Sequence, residues 1–261
     1  MSRRRLGQHF LTDVEIIRRI VDSAELEPQD RVFEIGPGRG AITLPMVERG
    51  VPVTSLELDD DLAEALMADA PDGLHVIKGD ALVADFPELV GEGDRRSSVL
   101  VANLPYRITG ALLQRILEAG CWNRAVLMVQ REVALRLAAE VGTKAYSILT
   151  VAANLRSSVE YLFSVPARCF DPPPKVVSAV VRFRFRDDGI PVRDEQLFFR
   201  VVRAAFQQRR KMLRNSLSTV LEGQVEAVLE SAGIDPSHRP EAVSVDGFER
   251  ICRSFDAMAT S

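Results

Sequence analysis

Short apolar segments alternate with segments of helical pattern in the first half of the chain, and this alternation limits the possible folds more than any other feature. The helical segments are Ala41–Arg49, Asp60–Ala70 and Thr109–Ala119. Short apolar strands separated by helices favour parallel pairing, with helices on both faces of one sheet. The sequence therefore predicts an α/β fold built on a doubly wound sheet. The five predicted strands are Arg31–Ile35, Val51–Glu57, Leu74–Lys78, Ser98–Ala102 and Arg124–Gln130.

The pattern changes after the fifth strand. Ser158–Val165 and Val176–Phe185 are rich in β-forming residues, and the proline-containing loop between them is too short for a helical crossover. We expect them to close the sheet as an antiparallel hairpin. A linker is predicted at residues 187–191, and the rest of the chain has helical periodicity. The sequence thus predicts an α/β domain at residues 1–186 and a small all-α domain at residues 187–261.

A glycine-rich turn follows the first predicted strand. Gly36 and Gly38 lie where this strand passes into its helix, and glycine there lets the backbone approach a ligand closely. Together with Ala41, they also match the relaxed G-x-G-x-x-A pattern of dinucleotide-binding proteins. The turn alone therefore leaves NAD, FAD and S-adenosylmethionine as candidate cofactors.

Acidic residues end the next two strands. Glu57 ends the second strand, where a carboxylate can accept hydrogen bonds from two ribose hydroxyls. Asp80 ends the third strand and can accept a hydrogen bond from an adenine amino group, although a Gly-Asp pair is often only a turn. Because the carboxyl ends of parallel strands meet at one edge, we expect both carboxylates beside the glycine turn.

The tetrapeptide after the fourth strand, Asn103-Leu104-Pro105-Tyr106, distinguishes best between these cofactors. The exocyclic amine of adenine is a poor nucleophile because its lone pair is delocalised, and hydrogen-bond acceptors around the amine can localise that pair. Asn103 supplies a side-chain carbonyl, and the proline holds Leu104 extended so that its backbone carbonyl can aim at the same point. Tyr106 offers a ring on which an extruded base can stack. The tetrapeptide therefore favours methyl transfer to adenine.

Neither a metal site nor a membrane-spanning segment is expected. The three cysteines and three histidines are scattered along the chain and form no C-x-x-C pair. No stretch approaches the roughly 20 uncharged apolar residues of a membrane span, and the first seven residues lack the apolar core of a signal peptide. We expect a cytoplasmic protein with no metal.

Seven motifs together resemble those of the ribosomal RNA adenine N6-dimethyltransferases, the family that includes the bacterial small-subunit enzymes of the KsgA type and the erythromycin-resistance methylases. The resemblance covers almost the whole chain. The motifs are Leu6–Leu11, Glu34–Gly38, Glu57–Asp59, Gly79–Ala81, Asn103–Tyr106, Phe170–Val176 and Phe206–Lys211.

The resemblance implies a Rossmann-like methyltransferase domain that binds S-adenosylmethionine, with Asn103 between the methyl donor and the target amine. The catalytic residues would be Asn103, Leu104, Pro105 and Tyr106. His9 and Leu11 would close over the cofactor, and Gly36 would approach its methionine part. The residues implied to bind the cofactor are His9, Leu11, Gly36, Gly38, Glu57, Leu58, Asp80, Ala81 and Asn103.

Positive charge gathers in the second half of the chain. The overall net charge of −4 divides into 6 basic and 17 acidic residues in positions 25–100, a net of −11, and 12 basic and 5 acidic residues in positions 165–214, a net of +7. Basic residues on successive elements favour an RNA-binding surface over a merely solvated face. Phe170 is predicted to form a second wall of a base pocket opposite Tyr106, with a core aromatic as the alternative. The predicted RNA-binding residues are Phe170, Lys175, Arg182, Arg184, Arg186, Arg209, Arg210 and Lys211.

The resemblance implies an enzyme that dimethylates two adjacent adenosines near the 3′ end of small-subunit ribosomal RNA. We expect a monomer that acts on that RNA or on the immature small subunit. Three alternatives stay open. The chain could be a ribosome assembly factor that acts mainly by binding RNA, or a resistance-type methylase of large-subunit RNA. An NAD-linked oxidoreductase would rest on Gly36, Gly38, Ala41 and Glu57 alone.

Overall fold

The computed structural model describes residues 8–91, 95–187 and 189–259. Leu6 and Gly7 of the first motif and Asp188 of the predicted linker lie outside the described residues. The chain divides into two compact units. The first consists of Met1–Ala134 with Val159–Phe185, and the second of Leu135–Ser158 with Arg186–Ser261.

Nine strands lie within the described residues. Four of the five strands predicted for the parallel sheet start at the predicted residue, and three of them match at both ends, whereas the second starts two residues late. The strands are β1 (Phe10–Leu11), β2 (Arg31–Ile35), β3 (Val53–Glu57), β4 (Leu74–Lys78), β5 (Ser98–Asn103), β6 (Arg124–Gln130), β7 (Ser157–Val165), β8 (Phe170–Asp171) and β9 (Ser178–Phe185).

The helices predicted between the strands are present but shorter than their periodic patterns. The helices are α1 (Val14–Ser23), α2 (Thr43–Val47), α3 (Asp60–Ala68), α4 (Phe86–Val90), α5 (Thr109–Glu118), α6 (Arg131–Leu137), α7 (Ile148–Arg156), α8 (Glu195–Gln207), α9 (Leu213–Ser216), α10 (Val225–Ser231) and α11 (Val245–Ala259).

Seven of the strands form one sheet in the order β4-β3-β2-β5-β6-β9-β7. The five neighbouring strands β4, β3, β2, β5 and β6 pair in parallel, and β9 runs antiparallel to β6. This confirms the predicted α/β sheet with its antiparallel closure. The chain builds outward from β2 through β3 to β4, then returns to place β5 on the other side of β2. The strand order therefore reverses between β2 and β5, and ligands of such sheets bind at the carboxyl ends of the strands beside this reversal.

The N-terminal helix α1 shows how the first unit buries its apolar faces. The carboxylate of Asp13 accepts a hydrogen bond from the backbone N–H of Ile16 at 3.1 Å and caps the helix. Ile16, Ile20 and Val21 are buried in the core, whereas Val14, the first residue of the helix, is 78% exposed.

The second unit has its own apolar core and is built from two separate stretches of the chain. Tyr146, Val151 and Leu155 pack in one cluster with residues of α8 and α11 that include Phe198 and Phe248. Residues 135–158 therefore belong with the C-terminal helices, which differs from the predicted division at residue 186. The reason is that the apolar residues of α7 complete the core of these helices. No helix in the described part of the chain is long and apolar enough to cross a membrane.

Candidate active site at the carboxyl ends of the parallel strands

The turn after β2 is open on one side and covered on the other. Gly36 and Gly38 have φ angles of +71° and +58°, a conformation that favours glycine. Gly36 is exposed, and a Cβ atom placed on it would meet no atom within 4 Å. A Cβ on Gly38 would lie 3.3 Å from the ring of Phe10. The backbone at Gly36 can therefore be approached closely by a ligand, as predicted.

Glu57 holds this turn through one of its two carboxylate oxygens. Its Oε2 accepts a hydrogen bond from the N–H of Gly38 at 2.9 Å, and its Oε1 accepts one from the N–H of Asp59 at 2.9 Å. Each carboxylate oxygen can accept a further hydrogen bond. Glu57 is 4% exposed at the end of β3, which is the position predicted for binding ribose hydroxyls.

Glu34 is a buried carboxyl on β2, just before the glycine turn, and it belongs to the Glu34–Gly38 motif. Its Oε2 accepts hydrogen bonds from the hydroxyls of Thr43 at 2.6 Å and Ser55 at 2.8 Å. Burial raises the pKa of Glu34 to about 7, the two hydrogen bonds oppose this rise, and the nearby charge of Glu57 adds to it. An acidic residue between the apolar residues Phe33 and Ile35 is the signal that the sequence offers.

We expect Glu34→Gln to remove the part of the pH dependence of the unfolding free energy that comes from titration of Glu34. The folded pKa is near 7 against an ordinary value of 4.5, so this group stabilises the fold fully below about pH 4.5, and the contribution is lost as the pH rises through 7. The Gln carbonyl can accept both hydroxyl hydrogen bonds, so the variant should be more stable than the natural protein at pH 8 by up to about 3 kcal/mol. Urea denaturation at pH 5 and pH 8 measures this difference, and parallel pH profiles of the two proteins would contradict it.

The end of β4 brings Asp80 to the same edge. The Oδ1 atom of Asp80 accepts a hydrogen bond from the N–H of Leu82 at 2.8 Å, so this residue does form the turn that was weighed as the alternative. Its side chain is half-buried, next to Ala81, which is 8% exposed. Leu58, which follows β3, is 39% exposed. The predicted roles of Asp80, Ala81 and Leu58 in cofactor binding stay predictions.

The tetrapeptide Asn103-Leu104-Pro105-Tyr106 is held on both sides. Asn103 ends β5 and is half-buried, and the N–H of the buried Leu104 donates to the carbonyl of Met128 at 3.0 Å. The carbonyl of Pro105 accepts a hydrogen bond from the hydroxyl of Thr109 at 2.9 Å. The side chain of Asn103 is therefore delivered from a fixed backbone beside the strand reversal.

The segment 8–12 lies across this edge as a strap. In β1, Phe10 and Leu11 pair with β8, and the Nδ1–H of His9 donates to the carbonyl of Pro172 at 2.6 Å, which fixes the tautomer of His9. The guanidinium of Arg39 lies 4.2 Å from the centre of the Phe10 ring. The strap thus contacts the glycine turn through Phe10 and the proline loop through His9.

Leu11, predicted to contact the cofactor, and Phe170, predicted to contact the target base, are both buried in the core of the first unit. Leu11 is 5% exposed and Phe170 is 3% exposed, and both pack in the cluster that contains the buried face of α1. For Phe170 this corresponds to the alternative of a core aromatic, because the ring is enclosed when β8 pairs with β1. The side chain of Leu11 anchors the strap in the same way.

The guanidiniums of β9 are not the free row of cations that the sequence predicted. Phe183 and Phe185 do share one face, with ring centres 6.0 Å apart. On the other face, Arg182 forms ion pairs with Glu25 and Glu160, and Arg184 pairs with Glu25. These carboxylates come from other parts of the chain, so the sequence of the strand itself does not reveal them. The charge that Arg182 and Arg184 offer to RNA is correspondingly reduced.

The remaining predicted RNA-binding residues lie on loops rather than on helices. Arg209 of the second unit donates to the carbonyl of Lys144 at 2.7 Å and contacts Glu241 at 3.6 Å, so it also anchors its turn. Arg210 and Lys211 are exposed in the turn between α8 and α9. In the first unit, Lys175 is exposed in the loop before β9. Arg186 is exposed just after β9.

The sheet topology, the glycine turn, the carboxylate at the end of β3 and the Asn-Leu-Pro-Tyr segment after β5 are together typical of the class of Rossmann-like methyltransferases that act on adenine amino groups. The model of the ribosomal RNA adenine dimethylase family matches residues 1–257. The chain therefore belongs to this family, which confirms the predicted resemblance, the class of enzyme and S-adenosylmethionine as the methyl donor. Among the described residues, no group of three or more His, Cys, Asp or Glu side chains is arranged to hold a metal ion.

Individual relatives agree with this assignment. The ribosomal RNA small subunit methyltransferase A of Pelotomaculum thermopropionicum is 44% identical over 97% of this chain and 91% of its own length. The protein of the same name from Syntrophotalea carbinolica is 41% identical over 96% of both chains. Among solved structures, a dimethyladenosine transferase from Plasmodium falciparum has a TM-score of 0.84 at 25% identity and covers 96% of this chain and 98% of its own. The 23S rRNA methyltransferase ErmE has a TM-score of 0.73 at 30% identity, with 95% and 99% covered.

Proposed function

We propose that this protein transfers methyl groups from S-adenosylmethionine to N6 of two adjacent adenosines near the 3′ end of small-subunit ribosomal RNA, as a cytoplasmic monomer that acts during ribosome biogenesis. The single observation that carries the proposal is the placement of Asn103-Leu104-Pro105-Tyr106 at the strand reversal, beside Gly36 and Glu57. Relatives named small-subunit methyltransferases support the choice of RNA.

The residues at this edge fit the cofactor. Gly36 leaves open space for a ligand, Glu57 has acceptor capacity for ribose hydroxyls, and the half-buried Asp80 carboxylate can accept from an amino group. When bound, S-adenosylmethionine supplies an activated methyl group on a sulfonium. Gly36, Gly38, Glu57 and Asp80 would hold it, and the strap containing His9 would cover it.

Asn103 and Leu104 act on the target amine. The side-chain carbonyl of Asn103 and the backbone carbonyl of Leu104 would accept hydrogen bonds from the two N–H groups of adenine N6, which localises the lone pair on the nitrogen. Tyr106 would stack on the extruded base and hold it in line. The chain needs no strong base, because the methylated amine is cationic and loses its proton readily to water.

The function is tested by incorporation of labelled methyl groups into immature small ribosomal subunits, followed by mapping of dimethyladenosine. We expect two dimethylated adenosines near the 3′ end of the small-subunit RNA. Methylation of large-subunit RNA instead would identify a resistance-type enzyme. If neither RNA is labelled, and a catalytically inactive protein still supports subunit maturation, the assembly-factor alternative replaces the proposal.

The exposed turn of the second unit supplies a prediction about RNA binding. Arg210 and Lys211 are exposed, whereas Arg209 also anchors the turn, so only the first two can be changed without affecting these anchoring contacts. We expect Arg210→Glu with Lys211→Glu to raise KM for RNA about 10- to 30-fold and to lower the slope of log affinity against log salt by about 2.

The neutral double variant Arg210→Gln with Lys211→Gln is the matched control, because it removes both positive charges without adding negative charges that repel phosphate. Its KM for RNA should lie between those of the natural protein and the Glu variant. Affinity for S-adenosylmethionine, measured by calorimetry, should not change in either variant. An unaltered salt slope in the Glu variant would show that these two cations do not contact phosphate.

A further inference from the structure

Ser178 reaches the active-site edge because its strand runs against the others. It is the first residue of β9, and it pairs with Gln130, the last residue of β6. Since β9 is antiparallel to β6, its first residue lies at the edge where the parallel strands end. Ser178 is fully buried. No motif in the sequence had singled it out as a separate functional residue.

The hydroxyl of Ser178 contacts the ring that is proposed to stack on the target base. The hydroxyl oxygens of Tyr106 and Ser178 are 2.6 Å apart, which makes a short hydrogen bond in which either group can donate. The imidazole ring of His9 lies 6.3 Å from the centre of the Tyr106 ring, with 27° between the two planes. The Tyr106 ring is half-buried, so both its hydroxyl end and its face have a neighbour.

We propose that Ser178 is a positioning residue for methyl transfer, whose hydroxyl fixes the Tyr106 ring in the orientation that receives the target adenine. The proposal rests on the proposed function. A tyrosine side chain turns about two bonds. The hydrogen bond at the far end of the ring fixes the position of the phenol oxygen and so restricts rotation about the first bond, and the neighbouring His9 ring limits rotation of the ring plane about the second. The base then meets a ring already in place, and the amine is presented to Asn103 without a search among ring orientations.

Removal of this hydrogen bond should affect the rate more than binding. We expect Ser178→Ala to lower kcat about tenfold, the factor that corresponds to one hydrogen bond, because the ring then occupies several orientations. Affinity for S-adenosylmethionine should remain unchanged, since neither Ser178 nor Tyr106 is among the residues proposed to hold the cofactor. A general loosening of the fold would lower that affinity together with the rate.

The decisive experiment is a double-mutant cycle measured as kcat on immature small subunits. Tyr106→Phe keeps the ring and removes the same hydrogen bond from the other side, so it should also lower kcat about tenfold. The double variant should lose about tenfold and not about 100-fold, because both changes remove one interaction. Ser164→Ala is the control for loss of a serine–tyrosine hydrogen bond as such, since Ser164 and Tyr161 form an exposed hydroxyl pair of the same 2.6 Å length on β7, the last strand of the sheet.

Full activity of either single variant overturns the inference, and so do additive losses in the double variant. If Ser178→Ala fails to fold, Tyr106→Phe alone still decides, because it removes the hydrogen bond without altering the buried serine. Failure of the proposed function is recognised separately. In that case the natural protein itself labels no small-subunit RNA, whereas failure of the inference leaves the natural protein active.

Discussion

Asn103→Ala is expected to lower kcat for methyl transfer about 10²- to 10³-fold. The variant loses the side-chain carbonyl that would localise the lone pair of the target amine, an interaction that is needed only as the reaction proceeds. The dissociation constant of S-adenosylmethionine should rise less than about tenfold, because Gly36, Glu57 and Asp80, the other residues proposed to hold the cofactor, are unchanged in the variant. Single-turnover methylation and calorimetry measure the two effects separately.

Asn123→Ala is the matched control for this substitution. Asn123 precedes β6 at the opposite edge of the same sheet, where its amide donates to the carbonyl of Arg96 at 2.5 Å. Its replacement should cost stability of about 1 kcal/mol and leave kcat unchanged. An Asn103→Ala protein with the full rate would refute the role given to the tetrapeptide.

Asp30→Ala is expected to lower the free energy of unfolding by about 3–5 kcal/mol. Asp30 is 1% exposed and forms an ion pair with Arg124, whose side chain is 8% exposed. The same guanidinium donates to the backbone carbonyls of Ala24 at 2.8 Å and Glu25 at 2.7 Å. Loss of the carboxylate leaves a buried cation without its counter-charge, and urea denaturation measures the cost.

The double variant Asp30→Ala with Arg124→Met separates the buried charge from the loss of packing. It should be more stable than Asp30→Ala alone, because the unpaired cation is gone. The exposed pair of Glu15 and Arg18 is the control, since Glu15→Ala should change stability by less than about 1 kcal/mol. Equal losses of unfolding free energy in Asp30→Ala and Glu15→Ala would mean that burial does not increase the cost of breaking an ion pair.

The positions of the parallel strands followed from the sequence because the relevant interactions are local. Arg31–Ile35, Leu74–Lys78 and Arg124–Gln130 begin and end as predicted, since each is a short β-forming segment that stands between segments of helical pattern. The glycine turn and Glu57 were also located correctly, because a parallel sheet brings the ends of its strands to one edge. These parts of the candidate site need no knowledge of distant contacts.

Interactions between distant residues could not be predicted. Arg182 lies 157 positions from Glu25, so the ion pair that neutralises it leaves no local pattern. The burial of Phe170 depends on pairing between β1 and β8, two strands of only two residues each. Ser178 acquires its neighbour Tyr106 only because β9 is antiparallel, and a hydroxyl in a β-rich segment carries no signal of its own.

The division of the second unit into two stretches affects how substrate preference could be exchanged between members of this family. A chimera that replaces only the residues after 186 would place the Tyr146, Val151 and Leu155 of one parent against the Phe198 and Phe248 of another. Such a core would combine side chains that were never selected to pack together. A graft of this unit therefore has to transfer residues 135–158 together with the C-terminal helices, through three junctions in the chain instead of one.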